Sequence, residues 1–362
     1  MKVLFLTNIP SPYTTDFFND LGKEVDLTVI YERENASDRG LDWSETTSLN
    51  FRKIILKGIN VRKEQSISLG IIKHLNRKFD RIILGSFTTP TGIIAVLWMK
   101  LLRIKYMLFS EGGIPKNGKG IKEKIKKLII KRADKYLSTC TLGDQYFTQY
   151  GAKTENIKRI IFTSIYKNDI EKNTDFIKNR SNKIPKLIAV GRFMESKGFM
   201  RLIEISGEIS KEVSHELYII GSGPEKDKYL NYINNNNLQN IFIVDQLSKF
   251  HLLKYYRESD LFILPTKSDT WGLVIIEAMS QGLPIITTKT CVSGNEFVGL
   301  ENGRLFDYGD NLKFQKYLLE LLGDEKLRIN MSINNYNKMK NYTFENMRTK
   351  FLEAISKEEV NK

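Results

Sequence analysis

The feature that most constrains the fold is an alternation of short apolar runs with longer amphipathic segments, repeated in both halves of the chain. Such alternation is typical of a parallel sheet covered by helices. The predicted strands are Val3–Asn8, Val25–Tyr31, Arg81–Gly85, Tyr106–Ser110, Lys135–Thr139, Lys186–Gly191, Glu216–Ile220, Ile241–Val244, Leu261–Leu264 and Pro284–Thr287. Because the 362 residues exceed what one core usually serves, we expect two Rossmann-like, doubly wound α/β domains.

A polar segment separates the two series of strands. Tyr166–Pro185 is rich in Asn and Lys and is interpreted as the linker. The prediction is therefore an N-terminal domain over residues 1–170 and a C-terminal domain over residues 171–340. Asn341–Ser356 has the pattern of a helix, and we expect residues 341–362 to pack back on the N-terminal domain.

The net charge of +14 is unevenly distributed. Residues 51–135 hold 21 Lys and Arg against 5 Asp and Glu, whereas residues 181–362 hold 24 against 23. A field of this kind attracts phosphate-bearing partners, including anionic lipids, lipid-linked diphosphates and nucleic acids. We expect residues 51–135 to make peripheral contact with an anionic membrane.

A lysine-rich segment, Lys119–Lys135, sharpens this question. Ile121, Ile125, Leu128 and Ile129 fall on one helical face, and lysines crowd the rest. A basic amphipathic helix can lie on an anionic bilayer surface. The alternative, which we favour, is a domain helix whose apolar stripe packs in the core while its lysines are solvated.

The sequence contains no run of about 18 uncharged apolar residues that would indicate a membrane span. The best candidate, Gly92–Leu102, is interrupted by Lys100 and predicts a buried helix. The opening residues, Met1–Thr7, become polar too soon for a signal peptide. We expect a cytoplasmic protein that is peripheral on the cytoplasmic face of the membrane.

Cysteine and histidine usage argues against a metal centre or a disulfide framework. Cys140 and Cys291 are the only cysteines, and His74, His215 and His251 are scattered. Two thiols cannot form a four-cysteine zinc site, and a reducing compartment is expected. Both thiols are predicted to be buried and inert.

The densest chemical signal lies in residues 261–284, where a buried strand is followed by a polar loop, Gly272 and a helix that carries Glu277. Backbone N–H groups at the helix start, near Leu273 and Val274, carry partial positive charge and can bind an anion. A carboxylate one turn further along can accept two hydrogen bonds from a ribose, as in dinucleotide folds. This pattern indicates a nucleotide-sugar site.

This segment resembles the motif of the retaining GT-B glycosyltransferases of family 4, also called glycosyl transferases group 1. That family carries two acidic residues separated by seven others, followed by Ala-Met and a Gly-x-Pro turn. Asp269 and Glu277 occupy the two positions, followed by Ala-Met at 278–279 and Gly-Leu-Pro at 282–284. Asp269 departs from the family's usual Glu and is one methylene shorter.

Three further segments match the family in its order. Val190–Gly198 resembles its Val-Gly-Arg…Lys-Gly motif, Ile219–Pro224 its Gly-x-Gly-Pro turn, and Glu301–Gly303 with Asp307 its Asn-Gly block. The resemblance covers roughly residues 185–330 well, and the N-terminal half only in architecture. It implies a GT-B fold, in which two Rossmann-like domains face each other across a cleft.

The resemblance also implies roles for individual residues. Arg192 and Lys197 would hold the donor diphosphate, Glu277 the ribose and Asp269 the donor sugar. Glu111 stands where relatives place a His or Asp near the reacting sugar. The predicted catalytic residues are therefore Arg192, Lys197, Asp269, Glu277 and Glu111. For Glu111, stabilisation of the glycine turn that follows remains an alternative. The predicted donor-binding residues are Gly191, Arg192, Lys197, Gly221, Gly223, Thr270, Trp271, Gly272, Leu273, Val274 and Glu277. The predicted acceptor-side residues are Ser11, Tyr13, Glu111, Gly112 and Gly113.

The implied reaction moves a hexose, with retention, from a nucleotide diphosphate sugar to a hydroxyl of a lipid-linked or saccharide acceptor in capsule, exopolysaccharide or related surface-glycan synthesis. UDP-sugars are favoured over GDP-sugars. Two cations and a helix N-terminus can stabilise the departing diphosphate, and no Asp-x-Asp motif is visible, so neither metal nor cofactor is predicted. The alternatives are a nucleotide-sugar epimerase of the same fold and a basic nucleic-acid-binding protein. No nucleic acid partner is expected, because the basic segment lacks a recognisable binding module.

Overall fold

The computed structural model describes residues 1–34, 49–62, 65–115, 118, 120–178, 180 and 184–356, without the side chains of Arg62 and Lys122. Within the sequence predictions, Lys119 and residues 357–362 lie outside the described residues, as do positions 179 and 181–183 of the predicted linker. The chain divides into two compact units. Unit 1 is Met1–Phe162 together with the chain from Phe344 onward, and unit 2 is Thr163–Thr343.

Unit 1 is an α/β unit built on a seven-stranded parallel sheet. Its elements are β1 Lys2–Thr7, α1 Pro12–Leu21, β2 Asp26–Tyr31, β3 Arg52–Ile55, β4 Ile59–Arg62, β5 Gln65–Ile67, β6 Arg81–Leu84, α2 Pro90–Leu101, β7 Met107–Ser110, α3 Ile121–Ile130, β8 Lys135–Ser138, α4 Thr141–Gln149 and β9 Ile157–Arg159. The strand order is β3-β2-β1-β6-β7-β8-β9, with β4 and β5 in a separate antiparallel pair. Strands β2 and β3 lie on one side of β1, and strands β6 to β9 lie on the other. The strand order therefore reverses at β1, and a topological switch point lies between the carboxyl ends of β1 and β6.

The core of unit 1 explains why the end of the chain returns to it. Val3, Leu4, Phe5 and Leu6 of β1 are at most 1% exposed. The Phe5 ring lies 6.3 Å from that of Phe351, in the last helix. Apolar residues on that helix therefore complete a core begun by the first strand.

Unit 2 is built on a six-stranded parallel sheet. Its elements are α5 Asp175–Lys178, β10 Lys186–Val190, α6 Phe199–Ile209, β11 Glu216–Gly221, α7 Lys226–Asn235, β12 Ile241–Asp245, α8 Lys249–Glu258, β13 Leu261–Leu264, α9 Leu273–Ser280, β14 Ile285–Thr288, α10 Val292–Phe297, β15 Gly303–Phe306, α11 Asn311–Gly323 and α12 Glu325–Met339; α13, Phe344–Ile355, follows in unit 1. The strand order is β12-β11-β10-β13-β14-β15. Its switch point lies between β10 and β13, where Leu187 pairs with Leu261.

All ten predicted strands are present, with ends displaced by at most one residue. Buried parallel strands carry near-continuous apolar runs, so they can be predicted from the sequence. Among the strands that the sequence did not indicate, β3 and β9 lie at the two edges of the first sheet, β15 lies at an edge of the second, and β4 and β5 form the separate pair. The three edge strands contain Lys or Arg and have no continuous apolar run, so the apolar pattern did not indicate them.

The predicted burial is confirmed for part of α2 and is wrong for most of the α3 stripe. On α2, Ala95, Val96 and Met99 are fully buried. Leu97 and Leu101 on α2 are 49% and 72% exposed. On α3, Ile121, Ile125 and Leu128 are 75%, 36% and 49% exposed, whereas Ile129 is 1% exposed and the following isoleucine is fully buried. The helix is attached to the unit mainly through its last turn, where the hydroxyl of the buried Tyr106 donates to the carbonyl of Ile129 at 2.9 Å. Its outward stripe therefore stays in contact with solvent.

Within the described residues, every helix is too short or too polar to cross a bilayer.

Candidate functional site

The loop after β10 places Arg192 at the carboxyl edge of the unit 2 sheet. Its neighbour Phe193 is fully buried, with its ring centroid 5.6 Å from that of Tyr229. The amide of Phe193 donates to the carbonyl of Ser222 at 2.7 Å. Because Phe193 is anchored from both its ring and its backbone, the exposed Arg192 is held in a fixed loop.

The Gly-x-Gly turn after β11 lies directly against that loop. A Cβ on Gly221 would lie 1.9 Å from the carbonyl oxygen of Gly191, and one on Gly223 would lie 2.5 Å from that of Phe193. Only glycine allows two backbones to approach this closely. Gly191, Gly221 and Gly223, three of the four glycines predicted to bind the donor, thus shape the loop that carries Arg192.

Lys197 and Asp269 are brought together by the loop after β13. The hydroxyl of Thr266 and the amide of Lys267 both donate to the carbonyl of Ser196, at 3.0 and 2.7 Å. This contact joins two segments 70 residues apart. Lys197 Nζ then lies 2.5 Å from Asp269 Oδ2, and the two side chains are 15% and 17% exposed. The structure therefore makes an ion pair of two residues that the sequence assigned to different parts of a donor.

The start of α9 depends on the backbone of Gly272. Its φ is +87°, and a Cβ there would lie 2.7 Å from the sulfur of Cys291 and 2.9 Å from the hydroxyl oxygen of Ser293. Ser293 Oγ donates to the carbonyl of Gly272 at 2.9 Å. This turn directs the first N–H groups of α9, at Leu273 and Val274, beyond the end of β13; such groups have no intrahelical partner.

The two residues before Gly272 differ in exposure. Thr270 is exposed, whereas Trp271 is 4% exposed. The Trp271 ring packs edge-on against Phe297, with centroids 6.1 Å apart. Trp271 therefore supports the loop from within unit 2.

Glu277 is enclosed by hydroxyl groups. Its Oε1 accepts from Ser164 Oγ at 2.6 Å, and its Oε2 accepts from the Tyr256 hydroxyl at 3.2 Å. Burial raises the pKa of Glu277, opposed by the Ser164 hydrogen bond and the ammonium of Lys249. Lys249 also donates to the carbonyl of Ser164 and pairs with Asp169 Oδ2, both at 2.6 Å.

Sequence reasoning missed these four neighbours of Glu277, because they are spread over residues 164–256 without a shared motif. Part of the predicted linker, including Asp169, folds against unit 2 here. The same segment supplies Arg180, whose guanidinium donates to the carbonyls of Gln281 and Gly282 at 3.0 and 3.2 Å. Burial lowers the pKa of Arg180 to about 10. A cation at the carboxyl end of α9 complements the helix dipole and fixes the helix.

In unit 1, the predicted acceptor-side loop is a helix start. Ser11 is 3% exposed and lies at the N-cap of α1, with its hydroxyl 2.6 Å from that of Thr14. Tyr13 packs edge-on against Phe162 at 5.9 Å. Ser11 is thus engaged in capping, and the half-buried Tyr13 is the more accessible of the two.

Glu111 begins the glycine turn after β7. It is half-buried, and its backbone carbonyl accepts from the hydroxyl of Thr139 at 2.9 Å. The carbonyl of Gly112 accepts from Ser110 Oγ, and a Cβ on Gly113 would touch the side chain of Tyr146 at 3.1 Å. The turn is therefore fixed at the carboxyl edge of the sheet, where Glu111 was predicted.

Glu32 is a second carboxyl group at this edge, and sequence reasoning did not single it out. It follows β2, is 1% exposed, and its Oε1 accepts from Ser86 at 2.5 Å and Thr89 at 2.6 Å. Burial raises the pKa of Glu32 to about 7. Because Ser86 follows β6, this cluster lies beside the unit 1 switch point. In the sequence, Glu32 stands among charged loop residues, and nothing marks it as buried.

Comparisons with known proteins address the family and the fold. Residues 170–338 match the family described as glycosyl transferases group 1. The chain is 25% identical over 280 residues to an uncharacterized glycosyltransferase of Methanocaldococcus jannaschii, covering 73% of this chain and 72% of that protein. It is 26% identical over 270 residues to the amylovoran biosynthesis glycosyltransferase AmsD of Erwinia amylovora, covering 71% and 75%.

Solved structures resemble almost the whole chain. HepE from Anabaena in complex with UDP superimposes with a TM-score of 0.78 at 14% identity, over 98% of this chain and 99% of that one. HepE in complex with UDP-glucose gives a TM-score of 0.73. At this identity the likeness shows the fold alone. Every predicted donor-binding residue lies within the matched residues 170–338. The chain therefore has the GT-B fold, and its C-terminal half, over residues 170–338, matches the glycosyl transferases group 1.

Proposed function

We propose that this protein is a retaining, metal-independent glycosyltransferase that moves a hexose from a UDP-sugar to a hydroxyl group of a lipid-linked or saccharide acceptor. The observation that carries the proposal is the meeting of Lys197, Asp269 and the start of α9 at the switch point of the unit 2 sheet. In open α/β sheets, ligands bind at such points. Cations and a helix N-terminus there suit a diphosphate.

The proposed chemistry assigns the departing charge to unit 2. The bond between the anomeric carbon and the diphosphate oxygen breaks, and the acceptor oxygen bonds to the same face of that carbon. A donor phosphate oxygen takes the acceptor's proton. Arg192, Lys197 and the N–H groups at the start of α9 stabilise the charge that grows on the leaving diphosphate. Asp269, freed when the phosphate takes over Lys197, accepts hydrogen bonds from the donor sugar.

Glu277 is proposed to hold the ribose. A carboxylate offers about four acceptor positions, and Ser164 and Tyr256 each donate to one of its oxygens. Ribose hydroxyls can therefore add to the existing contacts. Lys249, next to Glu277, favours the ionised carboxylate that accepts them.

The choice of donor and acceptor rests on the relatives and on charge. HepE was crystallised with UDP and with UDP-glucose, which supports a UDP-sugar here. AmsD is named for amylovoran biosynthesis, which supports a cell-surface glycan as product. The basic residues 51–135 support a lipid-diphosphate-linked acceptor and peripheral contact with the cytoplasmic face of the membrane.

The test is a thermal-shift screen with UDP- and GDP-sugars in the presence of EDTA, followed by slow donor hydrolysis. A bound donor raises the melting temperature with the logarithm of its concentration over its dissociation constant. We expect a shift with at least one UDP-sugar, and strong loss of transfer in Lys197→Ala and Glu277→Ala without loss of fold. If neither nucleotide series shifted the melting temperature, or if both variants turned over normally, the proposal would be wrong.

A further inference from the structure

We infer that the exposed faces of α2 and α3 form a docking surface for an anionic lipid bilayer. This α2–α3 surface consists of Leu97 and Leu101 on α2 and of Ile121, Ile125 and Leu128 on α3, together with the basic side chains around them. The inference deepens the proposed function, on which its biological sense rests, because a lipid-linked acceptor must be collected from a membrane.

The apolar members of the surface share one direction on each helix. Leu97 and Leu101 are four residues apart, and Ile121, Ile125 and Leu128 follow at spacings of four and three. Residues at these spacings lie on the same helical face. The two faces adjoin, because the ammonium of Lys100 near the end of α2 donates to the carbonyl of Leu128. The result is one surface of five aliphatic side chains.

The charges around this surface have one sign. Residues 90–132 contain eleven Lys and Arg against two Glu. Those that the structure describes as exposed include Arg103, Lys124, Lys127, Lys131 and Arg132. Long basic side chains can lay their aliphatic stems over apolar surface while their charges reach lipid phosphates. Charge complementarity therefore selects an anionic membrane.

The one acidic residue on α3 does not offset this field. Glu123 pairs with Lys126 Nζ at 3.0 Å and accepts a hydrogen bond from Tyr150. Its side chain is 21% exposed, so the carboxylate is turned toward the protein. The outward part of the helix thus presents isoleucine, leucine and lysine, a composition typical of helices that lie in a membrane interface.

Unit 2 supplies the contrast. Its most exposed apolar side chains, Phe250, Leu300 and Leu312, lie on α8, on the turn before β15 and on α11. Isolated exposed apolar residues are ordinary. Residues 163–343 are also nearly neutral, with 24 basic and 22 acidic residues. These positions therefore provide matched controls.

The experiment measures binding of the full chain to vesicles of equal parts phosphatidylglycerol and phosphatidylcholine, with phosphatidylcholine vesicles as reference, by co-sedimentation without any sugar substrate. Each basic residue near an anionic surface contributes about fivefold in affinity. Lys124→Gln, Lys127→Gln and Lys131→Gln together should weaken binding roughly 100-fold. The control replaces three exposed lysines of unit 2 by Gln and should weaken it less than fivefold; these are Lys211, Lys316 and Lys326.

A fluorescent probe tests whether α3 itself enters the interface. Cys140 and Cys291 are fully buried, so a Leu128→Cys variant can be labelled selectively with a polarity-sensitive dye. Its emission should shift to the blue on the anionic vesicles. The same dye on Leu300→Cys in unit 2 should not shift.

The outcomes separate this inference from the proposed reaction. Equal binding to both vesicle types, equal loss in the α3 and control variants, or an unshifted probe would overturn the membrane surface. Tighter binding to RNA than to vesicles at equal phosphate concentration would also overturn it, in favour of a nucleic acid partner. Donor hydrolysis is measured without vesicles and should be unchanged in the α3 variants. If it is absent from the unmodified protein while vesicle binding persists, the proposed reaction fails and the membrane surface stands.

Discussion

The two units share a sheet architecture but differ in what their exposed surfaces carry. In unit 2, positive and negative side chains nearly balance, and the predicted site residues are held by short contacts such as Lys197–Asp269. In unit 1, charge is strongly positive and a stripe of isoleucine and leucine lies in solvent on α3. A site for a small charged ligand requires side chains fixed in a crevice. Contact with an anionic membrane requires only positive charge and an exposed apolar surface. This difference is the one that the proposals require, with unit 2 binding the donor and unit 1 contacting the membrane.

The largest effect is expected at Lys197, and it tests whether unit 2 carries the donor site. Replacing Lys197 by Ala should lower the transfer rate by about 100- to 1000-fold, the usual effect of removing one preorganised group that stabilises developing charge. Single-turnover kinetics with the donor identified in the thermal-shift screen would measure this. Lys289→Ala is the control, because Lys289 also pairs with a carboxylate in unit 2, Asp307 at 2.9 Å, but is exposed. Equal effects in the two variants would contradict a special role for Lys197.

Glu32 tests whether unit 1 also contains a tuned polar cluster. Because its folded pKa of about 7 lies above its ordinary 4.5, its contribution to stability is full below pH 4.5 and is lost as the pH rises through 7. Glu32→Gln mimics the neutral form, so it should be more stable than the unmodified protein by about 3 kcal/mol at pH 8 and similar to it at pH 4.5. Urea unfolding across this pH range gives the difference. Glu34→Gln, at an exposed position two residues along the chain, is the control variant.

A substitution at Gly272 tests whether the turn before α9 positions a phosphate-binding helix start. An alanine there would meet Cys291 and Ser293 at a φ of +87°, and we expect a loss of about 2 kcal/mol in unfolding free energy. The same change should weaken UDP-sugar binding, because it displaces the start of α9. Gly323→Ala, at a position where a Cβ would meet nothing within 4 Å, should be neutral. Unchanged donor affinity in Gly272→Ala would argue against the helix start as a phosphate site.

The smallest expected effect is on the exposed stripe of α3. Ile121→Ser should change the unfolding free energy by less than about 0.5 kcal/mol, since surface positions contribute little to stability. Ile129→Ala, from the buried last turn, should cost about 3 kcal/mol. Denaturant titration compares the two. A large loss in Ile121→Ser would mean that the stripe packs in the fold and is not free to meet a membrane.

Most strands of unit 2 could be predicted from the sequence. Its five predicted strands are present within one residue, because each is a buried apolar run that ends in a turn. The resemblance to the glycosyl transferases group 1, which implies the GT-B fold, rests on motifs in which Asp269, Gly272 and Glu277 stand at fixed spacing. Local chemistry of this kind survives in sequence because the turn and the helix start are built by consecutive residues.

Contacts between segments that are distant in sequence could not be predicted from it. Ser164 and Tyr256 reach Glu277 from 113 and 21 positions away, and neither belongs to a motif. The burial of Glu32 under hydroxyls 54 and 57 residues further along the chain is equally invisible in sequence.

The sequence by itself determined the alternation of strands and helices, the order of the donor motifs and the sign of the charge on each half. Only the tertiary structure decided which face of each helix met the core. The periodicity of α3 identifies a stripe but not what covers it, since an apolar stripe can turn toward a sheet or toward solvent. Packing through Ile129 and its neighbour settled that choice and left Ile121, Ile125 and Leu128 outside.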